Sequence, residues 1–372
     1  MTALQGIIAL ALFAPGVLAP ALGLQALDIA LYTTGCFVVA MAGALWGGGL
    51  VGRFGSFGVA VICMAATITA VSLAAIGSPA ALLAAGLVLG LAFGPETPAS
   101  SALLGQLATA RQRPLIFSVR QTGNQFGAVI GSLTLPWLVL LHPAAGYGAV
   151  AMVAAIGAIA FFALRRRYDG LTRKEGAASD PRAAWALLRR DAAVRRLALI
   201  SMPLSAMQLG LNAYLVTYLT GTFGLSHVAA GAALGVAQAG GLAGRLGWGA
   251  VAARIGQSLP VIAGISVGTA ATGLAIALLP PGTSWPPLAL LAFLFGLTAS
   301  GWNGVFLSEV ARTAPDGRVG EATGAVLTAS YGGLVAGPVL ITALASVGGL
   351  RLAYAALAGA CLMGAFWLMR KP

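Results

Sequence analysis

Charge is scarce in this chain. Of its 372 residues only 8% are Asp, Glu, Lys or Arg, and just 9 of these are acidic. A water-soluble domain is about a quarter charged, so a soluble enzyme or regulator is excluded. Histidine is limited to His142 and His227, both near predicted loop ends. The three cysteines, Cys36, Cys63 and Cys361, sit in apolar runs with no ligand-like spacing. Neither a metal site nor a disulfide framework is expected, and the cysteines read as helix packing. Catalytic constellations are missing too. Gly264-Ile265-Ser266-Val267-Gly268 formally matches a nucleophile elbow, but it lies inside an apolar run with no His or Asp in reach. The chain is therefore not expected to be an enzyme, and no cofactor is expected.

Apolar length is what the sequence has in abundance. Hydrophobic residues make up 59% of it, and the mean hydropathy is +0.93. Polar breaks divide the apolar residues into twelve spans, at 3–22, 30–51, 58–77, 80–107, 115–141, 144–164, 197–221, 227–250, 258–279, 285–311, 319–346 and 349–369. Each is long enough to cross a bilayer as a helix at ~1.5 Å per residue. The first run resembles a signal peptide with a small-residue cleavage site, but it lacks a basic start, and the repeat described next requires it as the first span.

The repeat is visible by shifting the chain against itself. With an offset of 206, Gly296 falls on Gly90, Thr328 on Thr122, Gly333 on Gly127 and Gly337 on Gly131. With an offset of 201, Gly249, Arg254 and Gly256 fall on Gly48, Arg53 and Gly55. Two copies of a six-span unit imply residues 1–164 as one six-helix bundle and 197–372 as a second. Residues 165–196 form the connection. The part up to Asp180 reads as a loosely held linker. From Asp180-Pro181 a short basic amphipathic helix is expected to lie on the membrane surface, with Trp185 and Leu188 on one face and Arg182, Arg189 and Arg190 mostly on the other.

Arginine sets the topology. One set of alternate loops holds Arg53, Arg111 and Arg113, the 165–196 cluster, Arg254, Arg312 and Arg318, and the tail Arg370–Lys371; the other set holds Arg351 alone. By the positive-inside rule both termini are cytoplasmic. The same asymmetry accounts for the net charge of +12 without invoking nucleic acid. Lysine is confined to Lys174 and Lys371, a bias of GC-rich bacterial genomes, so the expected membrane is the bacterial inner membrane.

The six-plus-six plan, the basic central loop and the run Gly48–Gly55 (GGLVGRFG) together resemble the major facilitator superfamily over essentially the whole chain. That run is similar to the superfamily's G-x-L-x-D-R-x-G motif between the second and third helices. Ala243–Gly256 and Gly301–Pro315 look most like cyanate-permease-like members. The resemblance implies an all-α membrane protein of twelve transmembrane helices in two pseudo-symmetric six-helix bundles. It also implies secondary transport by alternating access, with spans 1, 4, 7 and 10 lining the cavity. One departure stands out: the motif aspartate is Gly52 here, and Ala253 in the second copy. In the family that carboxylate belongs to a cytoplasmic gating network. Arg53, Arg254, Glu309 and Arg312 are the candidates for such a network here, with Glu309 a possible partner for Arg254.

Polar residues at membrane depth mark the candidate site, because an intramembrane charge costs ~2.5–3.5 kcal/mol on insertion scales. Glu96 lies between Pro95 and Pro98, which should distort the fourth span. A carboxylate there is cheapest when it carries a proton, so Glu96 is the candidate for proton coupling. Arg120, Asn124, Gly127 and Gly131 share one face of the fifth span, with Gln121 and Gln125 adjoining. Arg120 either pairs with Glu96 to tie two helices together or lines the cavity; the two readings are compatible if substrate or proton breaks the pair. Arg245, with Gln238 on the same face, is similar to the arginine that holds the substrate carboxylate in monocarboxylate transporters, although the preceding aspartate of that pattern is Gly241 here. Its other reading is gating. Gln208 and Asn212 in the seventh span and Trp302 and Asn303 in the tenth complete the substrate-binding candidates; Trp302 either caps a small substrate or packs.

These residues lead to a monomeric secondary transporter of a small solute, an organic or inorganic anion, driven by an ion gradient, the expected ion being the proton. Its other partner is the lipid bilayer. The alternative is proton-driven efflux of amphipathic drugs or metabolites. Helix four lacks the arginine of drug antiporters, and Gly127-x-x-x-Gly131 lacks their Gly-Pro, although Gly337-Pro338 occurs in the eleventh span.

Overall fold

Apolar length becomes helix throughout, because a segment in lipid must satisfy its own backbone hydrogen bonds. A computed structural model describes residues 1–18, 22–142, 144–173, 181–280 and 282–369. The first six spans are α1 Thr2–Leu18, α2 Ala26–Phe54, α3 Ser56–Ala74, α4 Pro79–Leu107, α5 Arg113–Val139 and α6 Ala145–Tyr168. The connecting helix is α7, Pro181–Arg190. The seventh span is α8 Ala192–Leu209, a π-helical turn Gly210–Tyr214, and α9 Leu215–Phe223. The eighth and ninth are α10 His227–Ile255 and α11 Leu259–Leu278. The tenth is split into α12 Trp285–Ala299 and α13 Asn303–Thr313. The last two are limbs of α14, Val319–Met369.

Among the described residues, eight helical segments are long and apolar enough to cross a membrane. One of them is α14, which is broken at Gly348 and Gly349; Gly349 has φ +70°, open to a residue without a Cβ. That break separates the eleventh and twelfth spans. Helices α5 and α10 are long enough but less apolar, because they carry Arg120, Gln121, Asn124 and Gln125, and Gln238 and Arg245. Twelve spans among the described residues, nearly all helix, make this an all-α membrane protein.

The chain forms two compact units. One comprises Met1–Thr109, Arg120–Val194 and Val310–Thr328; the other comprises Ala110–Val119, Arg195–Glu309 and Ala329–Pro372. In the first unit α1 and α5 meet backbone to backbone: a Cβ added to Gly127 would lie 2.2 Å from the carbonyl oxygen of Gly6. In the second, α8 and α14 meet the same way, with a Cβ on Gly333 falling 2.4 Å from the carbonyl oxygen of Met202. These are the repeat-related glycines, and close helix contact is what small residues at such spacing provide in lipid.

The start of the linker differs from the loosely held segment expected. Helix α6 continues to Tyr168, and a 3-10 turn follows at Asp169–Leu171. The buried Asp169 carboxylate accepts hydrogen bonds from the backbone N–H groups of Phe57 (2.7 Å) and Gly58 (3.1 Å), and Thr172 Oγ1 accepts from Ser56 N–H (3.0 Å). These are the otherwise unmet donors of the α3 N-terminus, where a carboxylate is also favoured by the helix dipole. Asp180, the expected N-cap of α7, lies outside the described residues. Helix α7 itself turns Ala184 and Leu187 inward, whereas Trp185 is exposed with the Arg189 guanidinium 5.7 Å from its ring centre.

Candidate functional site

In the first unit the two intramembrane charges meet. Pro95 and Pro98 lie inside α4 and cannot donate to its ladder, which loosens the backbone where Glu96 sits. Glu96 is 3% exposed and Arg120, two turns into α5, is 2% exposed. Arg120 Nη2 donates to Glu96 Oε1 in a buried ion pair. The same nitrogen lies 3.1 Å from Thr97 Oγ1 and 3.4 Å from Ser100 Oγ. Thr97 Oγ1 in turn donates to Glu96 Oε2 at 2.7 Å. On its other side Arg120 Nη1 donates to Gln121 Oε1 at 2.8 Å. Gln121 Oε1 also accepts from Gln5 Nε2 of α1, at 2.5 Å. Helices α4 and α5 thus meet at one guanidinium, α1 reaches it through Gln121, and the hydrogen-bond partners named here other than Glu96 are neutral. Asn124 sits one turn beyond Arg120 on α5, half-buried.

In the second unit the polar residues gathered around Gln208 and Asn212 are uncharged and partner one another. Gln208 of α8 is half-buried, and its Oε1 accepts from Trp302 Nε1 and Asn303 Nδ2, both at 3.2 Å. Its Nε2 lies 3.4 Å from Ser300 Oγ. Trp302, 1% exposed, stands at the break between α12 and α13 and packs edge-on against Phe306. Asn212 belongs to the π turn, a feature often found where helices carry function. Its Oδ1 accepts from Gln238 Nε2 of α10 at 3.0 Å. Arg245, on the same helix, is 2% exposed. Its neighbour Gly244 lets α10 close on α12: a Cβ there would lie 2.1 Å from the Leu297 carbonyl oxygen.

The four residues read as a gate are placed differently from one another. Arg53, Arg254 and Arg312 are exposed, with Arg53 5.1 Å from the Phe54 ring centre, while Glu309 is buried in α13 at 1% exposure. A further acidic contact appears beside the motif. Glu321, in the first turn of α14, pairs with Arg318 at 2.5 Å and packs on Gly48, where an added Cβ would fall 2.6 Å from Glu321 N. Sequence reading missed Gln5, Ser100 and Ser300 as members of the two clusters. Gln5 carried a signal of a kind, as a lone amide in an otherwise apolar first span.

Residues 1–308 match the family model of the Major Facilitator Superfamily. No curated protein sequence matches the chain. Solved structures are similar over nearly its full length. The human organic anion transporter MFSD10 (TETRAN) is 21% identical, with 99% of this chain and 97% of that one covered at a TM-score of 0.77. The E. coli fucose:proton symporter FucP is 14% identical, with 100% and 98% covered at 0.77. A bacterial homologue of the iron transporter ferroportin, in an outward-facing state, is 16% identical, with 99% and 96% covered at 0.77. Likeness at these identities establishes the fold.

Proposed function

The chain belongs to the Major Facilitator Superfamily and is a multi-pass membrane transporter; from that premise we propose that it moves a small anion together with a proton by alternating access. The observation that carries this reading is the buried Glu96–Arg120 pair. A charge pair out of water is costly unless its members are paired and hydrogen-bonded, and breaking it from one side is costlier still. Protonation of Glu96 removes the counter-charge of Arg120 and leaves Thr97, Ser100 and Gln121 as its neutral partners. An anion arriving at the guanidinium restores the balance. Proton and monovalent anion then enter as a pair, leaving the charge of the cluster unchanged. Guanidinium suits this role because it stays charged and offers a planar fork of donors to a carboxylate.

The rest of the site follows as part of the same proposal. Asn124 lies beside Arg120, and Gln208, Asn212, Gln238, Trp302 and Asn303 supply a neutral, hydrogen-bonding surface. Arg245 provides a second buried guanidinium for an anion. Arg53, Arg254, Glu309 and Arg312 act in gating on the cytoplasmic side. Residues 1–164 and 197–372 are the two bundles that alternate, in the bacterial inner membrane with both ends of the chain cytoplasmic, the protein acting as a monomer. The cyanate-permease-like stretches and the organic anion transporter among the similar structures agree with an anionic substrate. Efflux of amphipathic drugs calls for an aromatic, weakly charged cavity, and the buried pair counts against it.

Purified protein in proteoliposomes tests the proposal. An inward proton gradient should accelerate uptake of a small radiolabelled carboxylate, and Arg120→Ala should abolish it. Uptake indifferent to the gradient would sink the reading. So would thermal stabilisation by lipophilic cations alone, unaffected by Arg120→Ala or Arg245→Ala.

A further inference from the structure

Arg120 can only donate hydrogen bonds, and this fixes the two amides beside it. Because Nη1 donates to Gln121 Oε1, the Gln121 amide must present its oxygen. Gln5 must then present its nitrogen to that same oxygen, as it does. The amide flip that is usually open to such groups is closed to both. The Gln5 oxygen is therefore left on the far side of its amide. It is buried without a hydrogen-bond partner, in a side chain only 9% exposed. Two more polar atoms of this cluster are buried and unpartnered: Asn124 Oδ1 and Arg120 Nε.

Gln5 is also held where it is. A Cβ added to Gly123 would fall 2.4 Å from the Thr2 carbonyl oxygen and 3.3 Å from Gln5 Cβ, so α1 and α5 are in backbone contact on either side of it. One fixed acceptor, Gln5 Oε1, and one fixed donor, Arg120 Nε, thus adjoin the charged pair, with Asn124 Oδ1 a second unpartnered acceptor. Buried polar atoms left unmet are destabilising, and a ligand that meets them gains what one lacking the matching groups forgoes.

We infer that this site takes an anion carrying its own hydrogen-bond donor beside the charge, of the kind a 2-hydroxycarboxylate offers. The inference rests on the reading of Arg120 as the anion site and narrows it. The carboxylate accepts from Arg120, including Nε, while the hydroxyl donates to Gln5 Oε1 or Asn124 Oδ1. Anions that only accept, such as acetate, nitrate or cyanate, satisfy the guanidinium and leave both amide oxygens unmet. Gln5 and Asn124 are on this view the specificity-determining residues, and Arg120 supplies affinity for anions in general.

The test is a pairwise comparison on the purified protein by titration calorimetry: glycolate against acetate, and lactate against propionate, with nitrate as an acceptor-only reference. The hydroxy acids should bind about tenfold or more tightly than their deoxy partners. That ratio should fall toward one in Gln5→Met or in Asn124→Leu, whichever residue accepts from the hydroxyl. Equal affinities within each pair for the wild-type protein would overturn the inference while leaving the anion reading intact, because the amide oxygens would then be met by water. A ratio that survives both substitutions would also overturn it. Failure of every anion to bind would overturn the inference together with the function it rests on.

Discussion

The two polar clusters occupy matching places in the repeat and use opposite chemistry. Glu96 and Thr97 fall on Trp302 and Asn303 when the chain is shifted by 206 residues. In the first unit that place holds a carboxylate, ion-paired to Arg120 and flanked by hydroxyls. In the second it holds an indole and an amide, both donating to Gln208 Oε1. The backbone diverges as well. Two prolines distort α4 without ending it, whereas the corresponding stretch of the tenth span stops at Ala299 and restarts at Asn303. A duplicated scaffold thus carries a charged cluster in one unit and a neutral one at the matching place in the other.

The largest effect expected from testing this contrast is at Arg120. Arg120→Ala leaves Glu96 buried without a counter-charge and should cost about 3–5 kcal/mol of stability, seen in thermal unfolding, with loss of transport. The double variant Glu96→Gln/Arg120→Gln should recover most of that stability and none of the transport. Recovery of both would mean that the charged cluster merely fastens α4 to α5. Next come the repeat-related glycines. Gly127→Ala and Gly333→Ala each place a methyl against a backbone carbonyl and should each cost about 1–3 kcal/mol. A large drop in one and none in the other would show that the two units do not share this contact.

Gln208→Leu probes the neutral side. It removes the acceptor shared by Trp302 and Asn303 and should weaken substrate binding about tenfold. The pH dependence of binding should not move, because nothing in this cluster titrates; a shifted pH profile would break the division of labour. The smallest effect belongs to Asp169→Asn, a change remote from both clusters. Losing the charge at the α3 N-terminus should cost about 0.5–2 kcal/mol in thermal unfolding with transport kinetics intact.

Much of this was legible in the sequence because lipid leaves few choices. Twelve apolar lengths can only be helices, so the spans followed from composition, and the Gly348-Gly349 break falls between the expected limits of the last two. Glu96 and Arg120 stood out because charge at membrane depth needs a reason, and each was the other's nearest candidate. What stayed hidden depends on backbone partners or on meetings distant in sequence. Asp169 looked like linker because its partners are the N–H groups of Phe57 and Gly58, which leave no mark on side-chain pattern. Gln5 meets Gln121 across 116 positions, through a helix contact set by glycines. The split of the tenth span at Gly301–Trp302 was hidden by glycine's double meaning, since in lipid it marks close packing as often as a break.

The central claim is that Glu96 and Arg120 bind proton and anion as one event, and proton uptake on anion binding measures it directly. Purified protein in weakly buffered solution with a pH indicator, titrated with a saturating small carboxylate that it binds, should take up one proton per bound anion. Glu96→Gln should bind the anion without that uptake. A wild-type protein that binds the anion and takes up no proton, or a Glu96→Gln variant with undiminished uptake, would contradict it.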